Sequence, residues 1–588
     1  MRPGSFILGC IAVSVTGACS SASRSSEDGT QPPAPTDVGA GVPSQLPLKY
    51  VGPPTRPAIS AADMMSRVYI LADDSMMGRS AASVYNAKGA AYIEREVRRL
   101  GLRPAGENGT YFQFPLEQRE LDPSTSLSAG GNSFTVWTEF APRDQGAGAR
   151  AFDGAAVIYA GSLGDPQRLV APSAAVGKVV LVSAARDAQG RANYNVNRAQ
   201  VSARFPEAAA IAVVTLDYLP AGYVDQFYRT AQVAPKGSGD SRPAPNYFYV
   251  TKAVAQAMLG RDVETAQPGA TGGTIQGQIT YRVTEAPARN VIALLPGSDP
   301  SLRGQYVAIG AHNDHVGFDN APADHDSVKA YQLIARPQGA DNEDTPVTES
   351  DWARIRQITD SLRGRNATRR DSIYNGADDD ASGTTAVLEI AEAFVNARVK
   401  PKRSLLFVWH TGEELGLLGS SYFTDHPTIP RDSIVAQLNI DMVGRGGSND
   451  ITGVTKAGEL IRGGPGYLQL IGSRRLSTEL GDLAETVNTE QALGLNFDYS
   501  LDANGHPQNI YCRSDHYMYA RYGIPIIFFT TGGHADYHQV TDEPQYIDYH
   551  RMEQVGKLVY ALADRVGNLD HRVVVDKPKP NPRGSCQQ

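Results

Sequence analysis

Four runs of apolar residues in this chain each end in side chains that can bind a metal ion or move a proton. "YVAIGAHND" ends in His312 and Asp314, "LLFVWHTGEE" in Glu413 and Glu414, "VAQLNIDMVG" in Asp441, and "IPIIFFTTGGHADYH" in Tyr537 and His538. Between the first two lies "YNGADDDASGTT", where Asp378, Asp379 and Asp380 are consecutive. Adjacent carboxylates repel, and burying any of them without a partner is costly. Solvent at a turn or helix N-terminus relieves such a cluster; so does a cation. Taken singly, an H-x-D triplet, an E-E pair or a Y-H pair is commonplace. Their ordered recurrence at successive strand ends is not. Two imidazoles with several carboxylates and no thiolate suit Zn²⁺, with Co²⁺ or Mn²⁺ as substitutes. Three carboxylates and two histidines exceed the needs of one catalytic zinc that keeps an open position. They suit two ions about 3.5–4 Å apart sharing a carboxylate. On this reading one member of the triplet bridges, and its neighbours cap the following helix or orient ligands.

The elements that must position these residues read as an α/β domain. From about Thr280, continuous apolar strands ("NVIALLPG", "QYVAIGAH", "RSLLFVWH", "IVAQLNIDMVG", "IPIIFFTTGG") alternate with helical stretches ("SGTTAVLEIAEAFVNAR", "GEELGLLGSSYFTDH"). That pattern predicts a mixed, largely parallel sheet covered by helices on both faces. Ligands in such sheets bind beyond the carboxyl ends of the strands. Residues 59–121 carry helical spacing, in "ADMMSRVYILADD" and "NAKGAAYIEREVRRLGL", and precede a β-rich region over 122–277 with Gly/Pro-rich turns. Residues 318–372 form a long polar insert between two ligand-bearing motifs. It contains one helix-like stretch, "SDWARIRQITDSLR", and is expected to border the cleft.

The motifs "GAHNDH", "NGADDDASG", "GEELGLLGS", "NIDMVG", "RSDHYMYARYGIP" and "DYHQVTDEP", in that order, resemble the co-catalytic di-zinc aminopeptidase family. That family also includes glutamate carboxypeptidase, the glutaminyl cyclases and the transferrin receptor ectodomain. The resemblance implies a zinc-peptidase α/β/α sandwich over 280–570, with 59–121 as its N-terminal helical part. It implies that Asp379, three residues before Ser382 of the D-x-x-S-G pattern, bridges two Zn²⁺ ions, with His312, Glu414, Asp441 and His538 as terminal ligands. Glu413 then matches the general base, Asp314 the acid that holds His312, and Tyr537 the donor to the developing oxyanion. His315, His410, His516 and His534 are expected to support or pack, and the "ADHD" stretch with His325 and Asp326 to be an ordinary polar loop rather than a third metal site. The fragment "GKVVLVSA", a helix and "AAAIAVVTL" resemble a protease-associated domain, which would make 122–277 an insert.

The expected function is hydrolysis of the N-terminal peptide bond of peptides with a free amine. The attacking water is held between two metals, and Glu413 takes its proton. A carboxypeptidase or dipeptidase on the same site is the alternative, and it needs cationic groups for a substrate carboxylate; Arg445, Arg513 and Arg521 are candidates. A glutaminyl cyclase, which typically uses one zinc, and a dead binding ectodomain, which would have lost ligands, both fit a complete ligand set less well. A net charge of −8 over 588 residues gives no footprint for nucleic acid.

At the N-terminus, Arg2 precedes the apolar run "FILGCIAVSVTGA" and then Cys19. This reads as a signal peptide over 1–18 of the lipoprotein type, lipidated at Cys19, the alternative being a plain secretory signal and a periplasmic or secreted protein. Ser20 favours the bacterial outer membrane, and the membrane contact is expected through that anchor alone. Residues 19–57, rich in Ser, Pro and Gly, are expected to form a disordered tether, and 576–588 a disordered tail. Apart from Cys10 and Cys19 only Cys512 and Cys586 occur, too few for a disulfide framework or a Cys-based metal site.

Overall fold

The computed structural model describes residues 46–588 apart from 144–148, 187–190, 194–195, 221, 225–228, 230–231, 238–242, 343–344 and 365–367. The signal peptide and most of the tether therefore lie outside the described residues. No helix among the described residues is long and apolar enough to cross a membrane.

The main sheet has nine strands. Its centre is parallel: Ser404–His410, Tyr306–His312, Ile434–Ile440 and Ile526–Thr530 lie side by side in that order. Asn290–Leu295 flanks them antiparallel on one side and Tyr467–Ile471 antiparallel on the other. Strand alternation sends successive side chains to opposite faces. Leu405, Phe407 and Trp409 accordingly join one core, while Leu406 and Val408 join another. The first core is closed by the helices Ala61–Leu71, Ala381–Asn396 and Tyr549–Asn568, and the second by the shorter helices Leu418–Asp425 and His516–Ala520. The mixed, largely parallel sheet with helices on both faces is thus the architecture of the domain.

Residues 59–121 are helical only in part. Helix Ala61–Leu71 is followed by helix Val84–Arg99, which stops before Gly101, whose φ of +71° suits a helix stop. Beyond it, Arg103–Pro104 and Phe112–Gln113 pair with Asn290–Leu295 in the main sheet. The chain then leaves through Leu116–Leu121 and returns through Tyr281–Glu285, which pair with each other antiparallel from Tyr281↔Leu121 to Glu285↔Glu117. Between them an eight-stranded sheet, spanning Ser126–Gln278, has its own two cores. The run "SFTVWTEF" does not form the strand its composition suggests, since Trp137 takes a φ of +68° and turns the chain there.

Two expectations are corrected. The segment 576–588 is not a disordered tail. Asp576 accepts from Thr478, Cys586 is disulfide-bonded to Cys512, and the Gln588 side chain bonds Leu501 and Tyr511. A covalent link and hydrogen bonds supply what its composition lacks in apolar surface. The tether likewise stops short of 57: Tyr50 packs edge-on against Tyr69, and Thr55 donates to Glu392.

The helices of residues 61–99 are tied to the sheet-covering helix Ala381–Asn396 by one buried cation. Arg67 is 1% exposed and reaches Glu389 at 2.5 Å, Glu392 at 2.6 Å and Glu96 at 2.8 Å. Replacing it by Met leaves Glu389 buried without a partner, while Arg99 still holds Glu96 and Glu392; one such orphaned buried carboxylate is destabilising by about 3–5 kcal/mol. Urea unfolding of Arg67→Met is expected to show that loss, and a change below about 1 kcal/mol would refute the account.

Candidate metal centre

All four parallel strands end on the same edge, and each contributes a side chain there. His312 is the last residue of Tyr306–His312, and Asp441 follows Ile434–Ile440 at once. Glu413 and Glu414 lie in a loop between Ser404–His410 and the helix Leu418–Asp425. The sequence pattern runs that helix back through Gly412, but φ values of +71° at Gly412, +102° at Gly416 and +63° at Leu417 break it. The pair is left on a half-buried loop and not on a helix face. Tyr537 and His538 come from the loop after Ile526–Thr530.

The aspartate triplet is buried throughout, and each member has a separate task. Asp380 caps the helix Ala381–Asn396 through the N–H of Gly383 and also accepts from the N–H groups of Met442 and His312. A Cβ on Gly383 would sit 2.2 Å from the Ile440 carbonyl and 2.5 Å from the Asp380 carboxylate, so only glycine allows this cap to close on the neighbouring strand. Asp378 accepts from Gly444 N–H at 2.6 Å, and its second oxygen faces His534 Nε2 at 3.2 Å. The peptide joining Asp379 to Asp380 is cis.

Asp379 is the member that points at the other candidates, and its two oxygens point at different ones. Oδ1 is 3.1 Å from His312 Nε2, which is itself 3.5 Å from Asp441 Oδ1. Oδ2 is 3.2 Å from His538 Nε2, which is 3.0 Å from Glu414 Oε2. The five residues assigned as ligands are therefore brought together in two groups that share one carboxylate. Asp380 also stands near His312 and Asp441, but its oxygens are taken by three backbone N–H groups.

The electrostatics of this cluster call for positive charge. Against burial, which disfavours an imidazolium, Asp441 and Asp379 raise His312 well above its ordinary range. Burial likewise opposes the rise at His538, where Glu414, Asp341 and Asp379 prevail. Glu414 is held at about 2, burial and Asp379 pushing it up while His538 and His315 pull it down further. Asp441 Oδ1 and His538 Nε2 are buried and make no hydrogen bond. A donor set of imidazole and carboxylate, with a buried atom left unsatisfied in each group, fits divalent metal ions.

The remaining site residues depart in detail from expectation. Asp314 was assigned to holding His312 by its carboxylate. The nearer acceptor for His312 Nδ1 is the Asp314 backbone carbonyl, at 3.1 Å, with the carboxylate at 3.8 Å. That carboxylate accepts instead from the N–H of Glu413 at 3.2 Å. Burial and the nearby Glu414 raise it to about 7. Glu413 and Tyr537 both line the cleft, with Asp379 and Asp441. His315 was expected only to support; its Nδ1 is 2.8 Å from Glu414 Oε1 and 3.6 Å from Asp379 Oδ2, so it stands directly against the Glu414 half. His410 pairs with Asp515 and Tyr519, and His516 bonds the Tyr511 carbonyl. His325 is spent on Asp326 and Glu543, the latter shared with Arg369, so this group is a buried tie and not a metal cluster.

Three further participants join the centre: Asp542 and Ser514 lie inside the quoted motifs without an assigned role, and Asp341 lies outside them. Asp542 accepts from the N–H groups of Asp378 and Asp379 and so sets the triplet. Ser514 donates to Asp441 Oδ2 at 2.7 Å. Asp341, from the polar insert, lies 3.2 Å from His538 Nδ1. The insert itself holds a helix the sequence pattern does not reveal, His325–Ala335, beside the expected one at Glu349–Arg363.

The chain is similar to several known peptidases. It is 30% identical over 196 residues to aminopeptidase YwaD of Bacillus subtilis, covering 32% of this chain and 36% of that protein. It is 43% identical over 77 residues to leupeptin-inactivating enzyme 1 of Streptomyces exfoliatus, covering 13% and 18%. The chain thus spans well under half the length of these curated relatives. A solved zinc aminopeptidase from Bacillus subtilis aligns with 89% of this chain and 99% of its own, at 18% identity and a TM-score of 0.41. The model of peptidase family M28 matches residues 290–563, the stretch that contains every strand and loop of the centre described above. Over those residues, just under half of its length, the chain matches peptidase family M28.

Proposed function

We propose that this protein is a zinc-dependent aminopeptidase that removes N-terminal residues from peptides at a dinuclear centre. The observation that carries the reading is Asp379, whose two oxygens face two separate imidazole–carboxylate groups. His312 and Asp441 would hold one Zn²⁺, Glu414 and His538 the other, and Asp379 both. When bound, such ions polarise a scissile carbonyl and lower the pKa of water.

The chain's own residues supply the proton traffic. Glu413 is half-buried in the cleft wall with its backbone fixed by Asp314. Burial, with Glu414 and Asp441 nearby, raises its carboxyl well above the usual range. A carboxylate so placed accepts the proton of an attacking water and returns it to the departing amine. Burial, Asp379 and Glu414 likewise raise the Tyr537 hydroxyl, which keeps its proton and remains a donor to the oxygen of the tetrahedral carbon. The cleft has a volume of about 110 Å³, far below the roughly 300 Å³ at the small end of ordinary ligand pockets. Gln338, Asp341 and Asn342 of the insert wall one side of it. Both facts support cleavage at a chain end over cleavage within a folded protein.

Export accords with the Cys512–Cys586 disulfide, which belongs in an oxidising compartment. We extend the proposal to a lipid anchor at Cys19 and to a protease-associated insert between 122 and 277.

A second reading, a dipeptidase or carboxypeptidase, is favoured by one observation. Of the three arginines that could receive a substrate carboxylate, Arg445 is held closely by Asp536 and Arg521 by Asp425, whereas Arg513 lines the cleft, is 44% exposed and has Asp341 no nearer than 3.7 Å.

Purified protein is expected to bind two zinc ions, and Glu413→Gln to keep both while losing about 10²–10⁴-fold in kcat. Elemental analysis with kinetics on an aminoacyl chromogenic substrate measures both; near-normal turnover would remove Glu413 from its role. Arg513→Gln separates the two readings. An aminopeptidase is expected to keep kcat/KM within a few-fold on amidated peptides and on the same peptides with a free C-terminus. Selective loss on the free-carboxylate series, by about 10-fold or more, would establish the second reading.

A further inference from the structure

We infer that Asp341, carried by the polar insert, is a positioning residue for the half of the centre that contains His538. The inference rests on the dinuclear reading above and extends it to a residue outside the strand-end motifs. A metal-ligating imidazole almost always gives its second nitrogen to a carboxylate or carbonyl, which fixes the tautomer and the ring plane. His312 does this within its own strand end, through the Asp314 carbonyl. His538 has no such neighbour in its own loop. Its Nε2 faces Glu414 and Asp379, and its Nδ1 faces Asp341 Oδ1 at 3.2 Å. Asp341 therefore stands on the far side of the ring from the centre, where it orients the ligand without being one.

The His538 backbone also needs an external hold. Its φ is +56°, a left-handed conformation that a β-carbon disfavours. Its ring stacks on Tyr537 at 3.9 Å between centroids. Around it the insert and the ligand loop are built as one unit. Ala340 N–H donates to the Tyr537 carbonyl at 3.1 Å. Gly339 has a φ of +104°, and a Cβ there would lie 2.6 Å from Tyr537 Cβ, so the insert backbone can approach this closely only as glycine. Deeper in, Lys329 of the insert helix reaches Asp536 at 2.8 Å, in a buried group shared with Arg445 and Thr541. Its neighbour His325 reaches Glu543 at 2.9 Å. Asp341 thus arrives at Nδ1 on an anchored backbone. Its second oxygen lies 3.7 Å from Arg513, so one carboxylate joins the ligand to the cationic wall of the cleft.

The test uses the full-length protein and zinc or cobalt alone as the probe. Zinc affinities are measured by chelator competition for wild type, Asp341→Asn and Asp341→Ala, together with the cobalt absorption spectrum, kcat and KM. Losing an outer hydrogen bond of this kind costs about 10–100-fold in metal affinity. The Ala variant is expected to lose that much at one of two sites, to change the cobalt spectrum, and to fall mainly in kcat. The Asn variant, whose amide oxygen still accepts from Nδ1–H, is expected to retain most of both. Should the Ala variant fail to fold, Asp341→Ser, too short to reach Nδ1, takes its place. Two unchanged affinities in the Ala or Ser variant, or losses equal in Asn and Ala, would overturn the inference and leave the dinuclear reading standing. Wild type that binds fewer than two ions would overturn both.

Discussion

The structure turns on the cost of burying like charges. Asp378, Asp379, Asp380, Glu414, Asp441 and Asp542 gather at one sheet edge, most of them shielded from solvent. In a low-dielectric setting that concentration of charge is tolerated only if every oxygen meets a donor or a cation. The fold meets the requirement with backbone N–H groups first. Gly383, Met442 and His312 serve Asp380; Gly444 serves Asp378; the triplet's own N–H groups serve Asp542. What is left over after that allocation is Asp379, with Glu414 and Asp441 beside it, facing imidazoles. The centre is what remains once those backbone donors are assigned.

This explains why strand order matters more than any one motif. The central strands are parallel, so their carboxyl ends and the loops that follow converge on a single edge. A residue one position past the end of Ile434–Ile440 and a residue at the end of Tyr306–His312 become neighbours with no loop design at all. Glu413, Glu414, Tyr537 and His538 need loops, and those loops are the ones held from outside, by Asp314 in one case and by the insert in the other.

The same distinction marks what the amino-acid order reveals. His312, the aspartate triplet, the Glu413–Glu414 pair, Asp441 and the Tyr537–His538 pair follow or precede apolar runs of strand or helix type, so local periodicity marks them and parallel topology gathers them; the choice of Asp379 and Glu414 among their neighbours is what the family resemblance implies. Asp341 and Lys329 sit in a polar stretch that looks like any solvated loop, and Asp542, Ser514, Asp536 and Arg445, though in or beside the motifs, act across sequence separations that no local pattern encodes. The helix His325–Ala335 escaped notice because it buries His325, Lys329 and Gln332 along with alanines, so its inward face does not read as apolar. The 576–588 segment misled for a related reason: a Pro- and Lys-rich composition says nothing of a single cysteine that finds its partner at Cys512.

The pairing of Leu116–Leu121 with Tyr281–Glu285 brings the departing and returning chain into register, residue against residue. Seen from the peptidase sheet, everything between Leu121 and Tyr281 is the loop of one hairpin. Closing such a loop grows costlier only with the logarithm of its length, each doubling adding about 0.6 kcal/mol. The sheet's stability is therefore nearly indifferent to how large the excursion is, apart from its strand Gln232–Pro235, which pairs back onto Leu116–Leu121. The eight-stranded sheet can lengthen its loops at little cost to the edge that carries His312 and Asp441, so long as the strand Gln232–Pro235 keeps its place on Leu116–Leu121.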